Sequence, residues 1–224
     1  VSVAVLIAGI KKFKGRIQNG FLNFRVRVNW FDISNRIDTS GRVDLEDLYA
    51  TIDSPNKSRM IRYVPTGFEQ IRKSLGRLIE YDRNVLEGGL VDFGCGKGRV
   101  LIMAAQMGFK RVTGVEFSKT LYEICRRNLK KVKSQAEVVC EDAVNFRLTG
   151  DERVFYFYNP FNYSLVQEVL ENIYACLKIP GKTGYVVYVD PRQFGRLDPE
   201  RYEMIISFDG PGTPFHVYKV VGGQ

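Results

Sequence analysis

Three glycines at alternate positions, Gly94, Gly96 and Gly98, stand between an apolar run ending in Asp92-Phe93 and a helix-periodic run beginning at Val100. Residues without side chains let the backbone turn sharply and let a ligand come close to it. A helix starting behind such a turn presents unpaired N–H groups and the positive end of its dipole. The spacing is G-x-G-x-G, which differs from the G-x-G-x-x-G of dinucleotide sites. Alone it also describes an ordinary strand-to-helix turn. A second acid, Glu116, closes the next apolar run, Arg111-Val112-Thr113-Gly114-Val115. It lies about 20 residues past the glycines, where a carboxylate accepts hydrogen bonds from a ribose diol. Further on, Asn159-Pro160-Phe161 places a side-chain carbonyl next to a backbone carbonyl, with an aromatic wall beside them. Acceptors without a cation suit a bound N–H group. The same three residues also describe a turn in which Asn caps and Pro starts the next segment.

These residues need strands to hold them. Leu90–Phe93, Arg111–Val115, Ala136–Cys140, Val154–Tyr158 and Gly184–Val189 read as strands, the fourth fully apolar and aromatic. Helices alternate with them. Phe68, Ile71, Leu75, Leu78 and Ile79 form an apolar stripe, and Thr66 stands three residues before Glu69 as a capping box, predicting a helix over 67–81. A helix follows the glycines to about Gly108, and Ser118 caps another running to Lys133. Ser164 and Gln167 form a capping box before a helix carrying Val166, Val169, Leu170, Ile173 and Leu177. Tyr202–Phe208 and Pro214–Val221, joined by Asp209-Gly210-Pro211-Gly212-Thr213, read as an antiparallel hairpin. Repeated strand-helix order predicts an α/β fold: a Rossmann-like, mostly parallel, seven-stranded sheet with helices on both faces, closed by the C-terminal hairpin.

The run from Val91 to Lys130 resembles the class I S-adenosylmethionine (SAM)-dependent methyltransferases. Val91-Asp92-Phe93-Gly94-Cys95-Gly96-Lys97-Gly98 is similar to their first motif, and Gly114-Val115-Glu116-Phe117 to their ribose-binding strand end. The likeness extends from about Arg62 to Val221. It implies SAM as cofactor, with Asp92, Gly94, Gly96, Gly98, Glu116 and Phe117 around it. Asp92 would fix the glycine loop or hold the cofactor's amino group. In the resemblance Asp142, with Glu141 as runner-up, accepts a hydrogen from the adenine; the alternative is an N-cap. Tyr63-Val64-Pro65-Thr66 resembles the loop of the non-SET lysine methyltransferases that folds over the methionine end, which implies Tyr63 and Thr66 as cofactor contacts. Asn159-Pro160-Phe161 resembles the N-P-P-Y/F motif of amino-directed methyltransferases but lacks its second proline. As a whole the pattern is similar to bacterial class I members with a distant likeness to the lysine-directed group. Asp92 to Gly98, Glu116, Asp142 and Asn159 all fall at strand carboxyl ends, which in such sheets form one ligand-binding rim.

Composition sets the remaining bounds. The chain has 224 residues and 45% hydrophobic content, enough for one α/β domain over 61–224 with an N-terminal extension over 1–60. Net charge is +8, of which residues 1–30 carry +6 with no acid, so the body is close to neutral. Val1 to Ile10 is apolar and too short to span a membrane. The basic cluster follows it, the reverse of a secretory signal. This segment reads as a packing helix or as a membrane-surface contact of residues 1–16, and Phe21–Trp30 as a short strand. Phe31 to Asn56 reads as a connecting loop or lid, with a helical turn over Val43–Leu48. The four cysteines lie far apart, without a C-x-x-C pair, which predicts reduced thiols in the cytoplasm, three of them in the core, and no metal. His216, the single histidine, reads as structural.

The expectation is an N-methyltransferase acting on an amine or amide of a protein side chain or small molecule, with Asn159, Pro160 and Phe161 at the acceptor. The alternatives are a nucleic-acid methyltransferase using the basic N-terminal segment as a phosphate-binding arm, and a non-catalytic SAM-binding protein. Arg126, Arg127, Lys130, Lys131 and Lys133 cluster on one helix, which more often marks a solvated face.

Overall fold

The computed structural model describes residues 29–43, 48, 55–59, 61–191 and 196–221. The chain forms two compact units, Val1–Trp30 and Phe31–Gln224. The expectations for residues 1–28 lie outside the described residues. So does most of the helical turn expected over Val43–Leu48, of which Leu48 is helical.

Seven strands form the sheet: β1 (Gly89–Phe93), β2 (Arg111–Glu116), β3 (Glu137–Cys140), β4 (Glu152–Tyr158), β5 (Tyr185–Val189), β6 (Tyr202–Phe208) and β7 (Phe215–Val220). Their order is β3-β2-β1-β4-β5-β7-β6. The first five are parallel, and β7 runs antiparallel between β5 and β6. The expected sheet and closing hairpin are therefore present. Parallel pairing puts the strand ends level: Phe93 stands opposite Val115 and Phe157, and Glu116 opposite Cys140. The chain builds outward through β2 and β3, then crosses to the other side of β1 with β4. The switch between β1 and β4 opens a crevice at the carboxyl ends of the strands.

Five helices are described: α1 (Trp30–Asn35), α2 (Phe68–Tyr81), α3 (Arg99–Gln106), α4 (Lys119–Lys131) and α5 (Tyr163–Leu177). Alternation along β1 and β4 sends side chains to opposite faces. Leu90, Val154 and Tyr156 meet Ile71, Leu75 and Leu78 of α2 and the apolar sides of α3 and α4. Val91, Phe93, Phe155 and Phe157 meet Leu165, Val166, Val169 and Ile173 of α5. Each fully buried leucine or isoleucine in these layers contributes about 1.5–3 kcal/mol of gross transfer free energy.

Several local expectations are corrected. Thr66 does not cap α2; the N-cap is Gly67, with no side-chain cap bond. Asn162 caps α5 by accepting from Leu165 N–H at 3.2 Å, in place of Ser164. Ser118 caps α4 as expected. Asp142 caps no helix; a turn follows it, closed by Asn145 N–H on its carbonyl at 2.9 Å. Residues 30–35 are helical rather than loop. Cys95 and Cys125 are buried, Cys140 is exposed and Cys176 half-buried, so two of the four thiols are core instead of three. No described helix is long and apolar enough to cross a membrane.

Candidate functional site

The crevice at the β1–β4 switch is a cavity with about 840 Å³ of free space, its open mouth included. Of the residues picked from sequence, Tyr63, Thr66, Asp92, Gly94, Glu116, Phe117, Asp142, Asn159, Pro160 and Phe161 all line it, as does Glu141. They come from the ends of four strands and from the segment before α2. Gly96 and Gly98 do not line it. Both are closely packed against other parts of the chain. A Cβ on Gly96 would meet the Tyr63 ring at 2.2 Å, and one on Gly98 the Cys125 sulfur at 2.5 Å. A Cβ on Gly94 would meet Pro160 at 2.5 Å, so that glycine seats the β1 end against the loop after β4. The φ angles of Gly94 and Gly96, 75° and 56°, are ones that side chains strongly resist.

The N–H groups expected to be open in the loop are largely taken. Gly94 and Cys95 donate to the Val115 carbonyl at 2.8 and 3.1 Å, and Gly98 to that of Cys95 at 2.9 Å. Gly96 donates to the Glu116 carboxylate at 2.9 Å. The other Glu116 oxygen accepts from Ser118 N–H at 2.8 Å. Each carboxylate oxygen has two lone pairs, so one on each remains for a ligand. Burial pushes the Glu116 acid up to about 7, against the pull of the Ser118, Gly96 and Phe117 N–H groups. Asp92, 3% exposed, faces the same cavity; burial and then the charge of Glu116 hold it well above the usual carboxylate range. Two buried acids on one wall are unfavourable when both are ionised and alone. A ligand bringing positive charge relieves both costs.

Sequence reasoning missed the shell that fastens the loop. Lys97, interleaved among the glycines, donates to both oxygens of Asp38 at 3.0 and 3.1 Å and to the Ser40 carbonyl at 2.8 Å. Arg99 donates to the Thr39 hydroxyl and carbonyl, the Ser40 hydroxyl and the Thr66 carbonyl at 2.8–3.1 Å, and lies over the Phe68 ring. Asp32 accepts from the Thr39 hydroxyl at 2.6 Å and its N–H at 2.9 Å. Asn128 of α4 bonds the Asp38 backbone on both sides. Tyr63 O–H donates to the Thr39 carbonyl at 3.1 Å while its ring covers Gly96. The segment read as linker or lid is thus bound, at residues 38–40, to Lys97 and Arg99 beside the glycines. The one signal was the pair of cations inside the loop.

At the opposite wall Asn159 follows β4 with φ 39°, a left-handed conformation that Asn tolerates better than most residues. Its side-chain Oδ1 is buried and accepts no hydrogen bond from the described residues. Phe161 and Leu165 are buried beside it, with Tyr158 half-buried. Asp142 accepts from Asn56 Nδ2 at 2.8 Å and from Val144 N–H at 3.3 Å. No group of acids, cysteines and histidine with metal-ligand geometry occurs among the described residues. His216 is engaged by Tyr218 and Asp209, away from the cavity, as a structural residue would be.

Residues 90–181 match the family described as a methyltransferase domain, a span that runs from the second residue of β1 to just past the end of α5. No curated protein matches the chain. Among solved structures, an RNA methyltransferase from Salinibacter ruber in complex with S-adenosyl-L-homocysteine is 23% identical, covering 70% of this chain and 94% of its own, at a TM-score of 0.53. The PH0226 protein of Pyrococcus horikoshii is 17% identical, covering 69% and 91%, at 0.53. A variant of MtNAS in complex with S-adenosylmethionine is 13% identical, covering 69% and 63%, at 0.52. At these identities the likeness to the structures is one of fold.

Proposed function

We propose that this chain, whose residues 90–181 match a methyltransferase domain, is a class I SAM-dependent methyltransferase that methylates a nitrogen, on an amine or amide of a protein side chain or a small molecule. The observation that carries the acceptor class is the buried Asn159 oxygen without a hydrogen-bond donor among the described residues, on the same cavity as Asp92, Glu116 and Asp142. The acids, the ring of Phe117 and the covered glycine loop fit the cofactor. Glu116 would accept from the ribose hydroxyls with its remaining lone pairs, Asp142 from the adenine amino group, and Asp92 from the methionine ammonium. Tyr63 and Thr66 would wall the methionine end. When bound, SAM supplies a methyl group activated by a sulfonium leaving group.

The chain's own task is then alignment. Asn159 Oδ1, with the Pro160 carbonyl, would accept the acceptor's N–H bonds and point its lone pair at the methyl carbon. Asn159 Oδ1 and the Pro160 carbonyl would hold the nitrogen's N–H bonds while the methyl group is delivered, and the proton that the nitrogen must lose would leave to solvent through the open mouth of the cavity. An amine must arrive without its extra proton, and the carbonyl acceptors would then hold its remaining N–H bonds and leave its lone pair free. Phe161 and Tyr158 would keep water from the path. The wide spacing of the four cysteines supports action in the cytoplasm.

The test is Asn159→Ala. Turnover is expected to fall by about 10²–10³, as when one aligned donor or acceptor is removed, with SAM affinity retained. Equal turnover would reduce the segment to a turn. Lost SAM affinity would move Asn159 to the cofactor side. The nucleic-acid alternative rests mainly on residues 1–30, of which only Asn29 and Trp30 are described. On α4, Arg126 pairs with Glu123 and Lys131 donates to the Arg36 carbonyl.

A further inference from the structure

One cluster on the cavity is used by none of these roles. Asn56 and Arg59, on the 3-10 turn Pro55–Arg59, both line the cavity between its two ends. Asn56 Nδ2 donates to Asp142 at 2.8 Å. Arg59 Nη1 donates to Asn56 Oδ1 at 2.9 Å, and Arg59 Nη2 to Ser164 Oγ at 2.9 Å and Glu168 Oε1 at 2.6 Å. The Arg59 carbonyl accepts from Asn162 N–H at 2.9 Å. Asn162 caps α5 and follows Asn159-Pro160-Phe161 directly. A continuous chain of bonds therefore runs from the acid after β3, through Asn56 and Arg59, to the loop after β4 and the first turns of α5.

We infer that Arg59, acting through Asn56, is a positioning residue that couples ligand binding at Asp142 to the placement of the loop carrying Asn159. The inference rests on the cofactor reading given above. Arg59 is suited to the task because its planar fork serves three partners in one fixed geometry, which a lysine point charge does not. Its side chain is 21% exposed, so its bonds are only partly screened, whereas Glu168 at 52% is close to a surface partner. A ligand accepted by Asp142 restrains that carboxylate, hence Asn56, hence the fork, and the backbone bond to Asn162 passes the restraint to the acceptor loop. Coupling is reciprocal, so an acceptor seated at Asn159 tightens the cofactor by the same factor. Networks of this kind lose more than one bond's worth when a central member is cut.

Hydrogen exchange of the amides over 162–166, with and without saturating S-adenosylhomocysteine, tests this. In the wild-type protein the ligand is expected to slow exchange there by about fivefold or more, the lower end of ordinary site–site coupling. In Arg59→Gln, still saturated with ligand, that ligand-dependent difference is expected to vanish. Arg59→Lys should restore it only in part. A purely structural role would instead raise exchange equally in the presence and absence of ligand. Glu168→Ala is a milder surface change that removes only the outer acceptor, and should reduce the difference without abolishing it. An unchanged difference in Arg59→Gln, or full restoration by lysine, overturns the coupling. Failure of the wild-type protein to bind S-adenosylhomocysteine, seen in the same samples by calorimetry, overturns the cofactor reading and the coupling with it.

Discussion

Glu116 carries two duties in one carboxylate. It ties the glycine loop to β2 through Gly96 N–H and holds the turn into α4 through Ser118 N–H. Glu116→Ala should therefore abolish SAM binding by calorimetry, and unchanged affinity would remove the residue from the cofactor site. The pH dependence follows from its burial. The acid sits near 7 in the folded chain against an ordinary 4.5. Between those values the folded, ligand-free protein holds a proton that the unfolded chain has lost, so this group's contribution to stability falls as pH rises through the window. A cationic ligand favours the ionised form, so SAM affinity should rise as pH climbs from 6 to 8. Below the pKa the slope approaches about tenfold per unit for one proton released. Asp92 and Cys95, both raised by burial, face the same charge. A flat affinity profile over that range would contradict the assignment of a titrating acid to the site. Glu116 and Asn159 were legible in sequence because each ends an apolar run, and strand ends are visible in apolar periodicity. The buried state of Glu116 was not, since it depends on backbone N–H groups that only the folded loop delivers.

At the scale of elements, the glycine loop is held from outside as much as from within. Gly96→Ala should cost about 1–3 kcal/mol in the range typical of strain and overpacking, because its Cβ would enter the Tyr63 ring at a φ of 56°. Thermal unfolding measures the loss, and a variant as stable as wild type would show that Tyr63 gives way freely. Asp32→Ala leaves the Thr39 N–H and hydroxyl without their acceptor in a buried place. A cost of about 1–3 kcal/mol is expected. These contacts could not be read from sequence, because the partners stand 57 to 60 positions apart between Lys97 or Arg99 and the 38–40 segment, and 90 apart between Asn128 and Asp38. Helix starts failed for a different reason. Ser164 had the capping-box spacing, but Asn162 reaches Leu165 N–H first, and Ser164 turns to Asn162 and Arg59 instead. Thr66 was one position early, with its carbonyl claimed by Arg99. Spacing alone does not say which of two neighbouring polar residues sits in the extended cap conformation.

At the scale of the molecule, the order of the strands does most to define what the chain can do. Strand-helix alternation foretold the parallel sheet, and the sheet places every strand-end residue on one side. The reversal between β1 and β4 opens the cavity there, with Asp92, Glu116 and Asp142 on the β1–β2–β3 side and Asn159 on the β4 side. Sequence showed that side of the sheet but not how far the body extends toward the amino terminus. The second compact unit begins at Phe31, and the described residues 32–43 are bonded into it. The proposed activity is methyl transfer from SAM to nitrogen of a protein or small-molecule acceptor. It is tested most directly by incubating the protein with methyl-labelled SAM and cell lysate, then separating protein, nucleic acid and small-molecule fractions. Label is expected in the protein or small-molecule fraction, bound to nitrogen and reduced about 10²–10³-fold when Asn159→Ala replaces the wild-type chain. Label in nucleic acid alone, or bound SAM with no labelled product in any fraction, would contradict it.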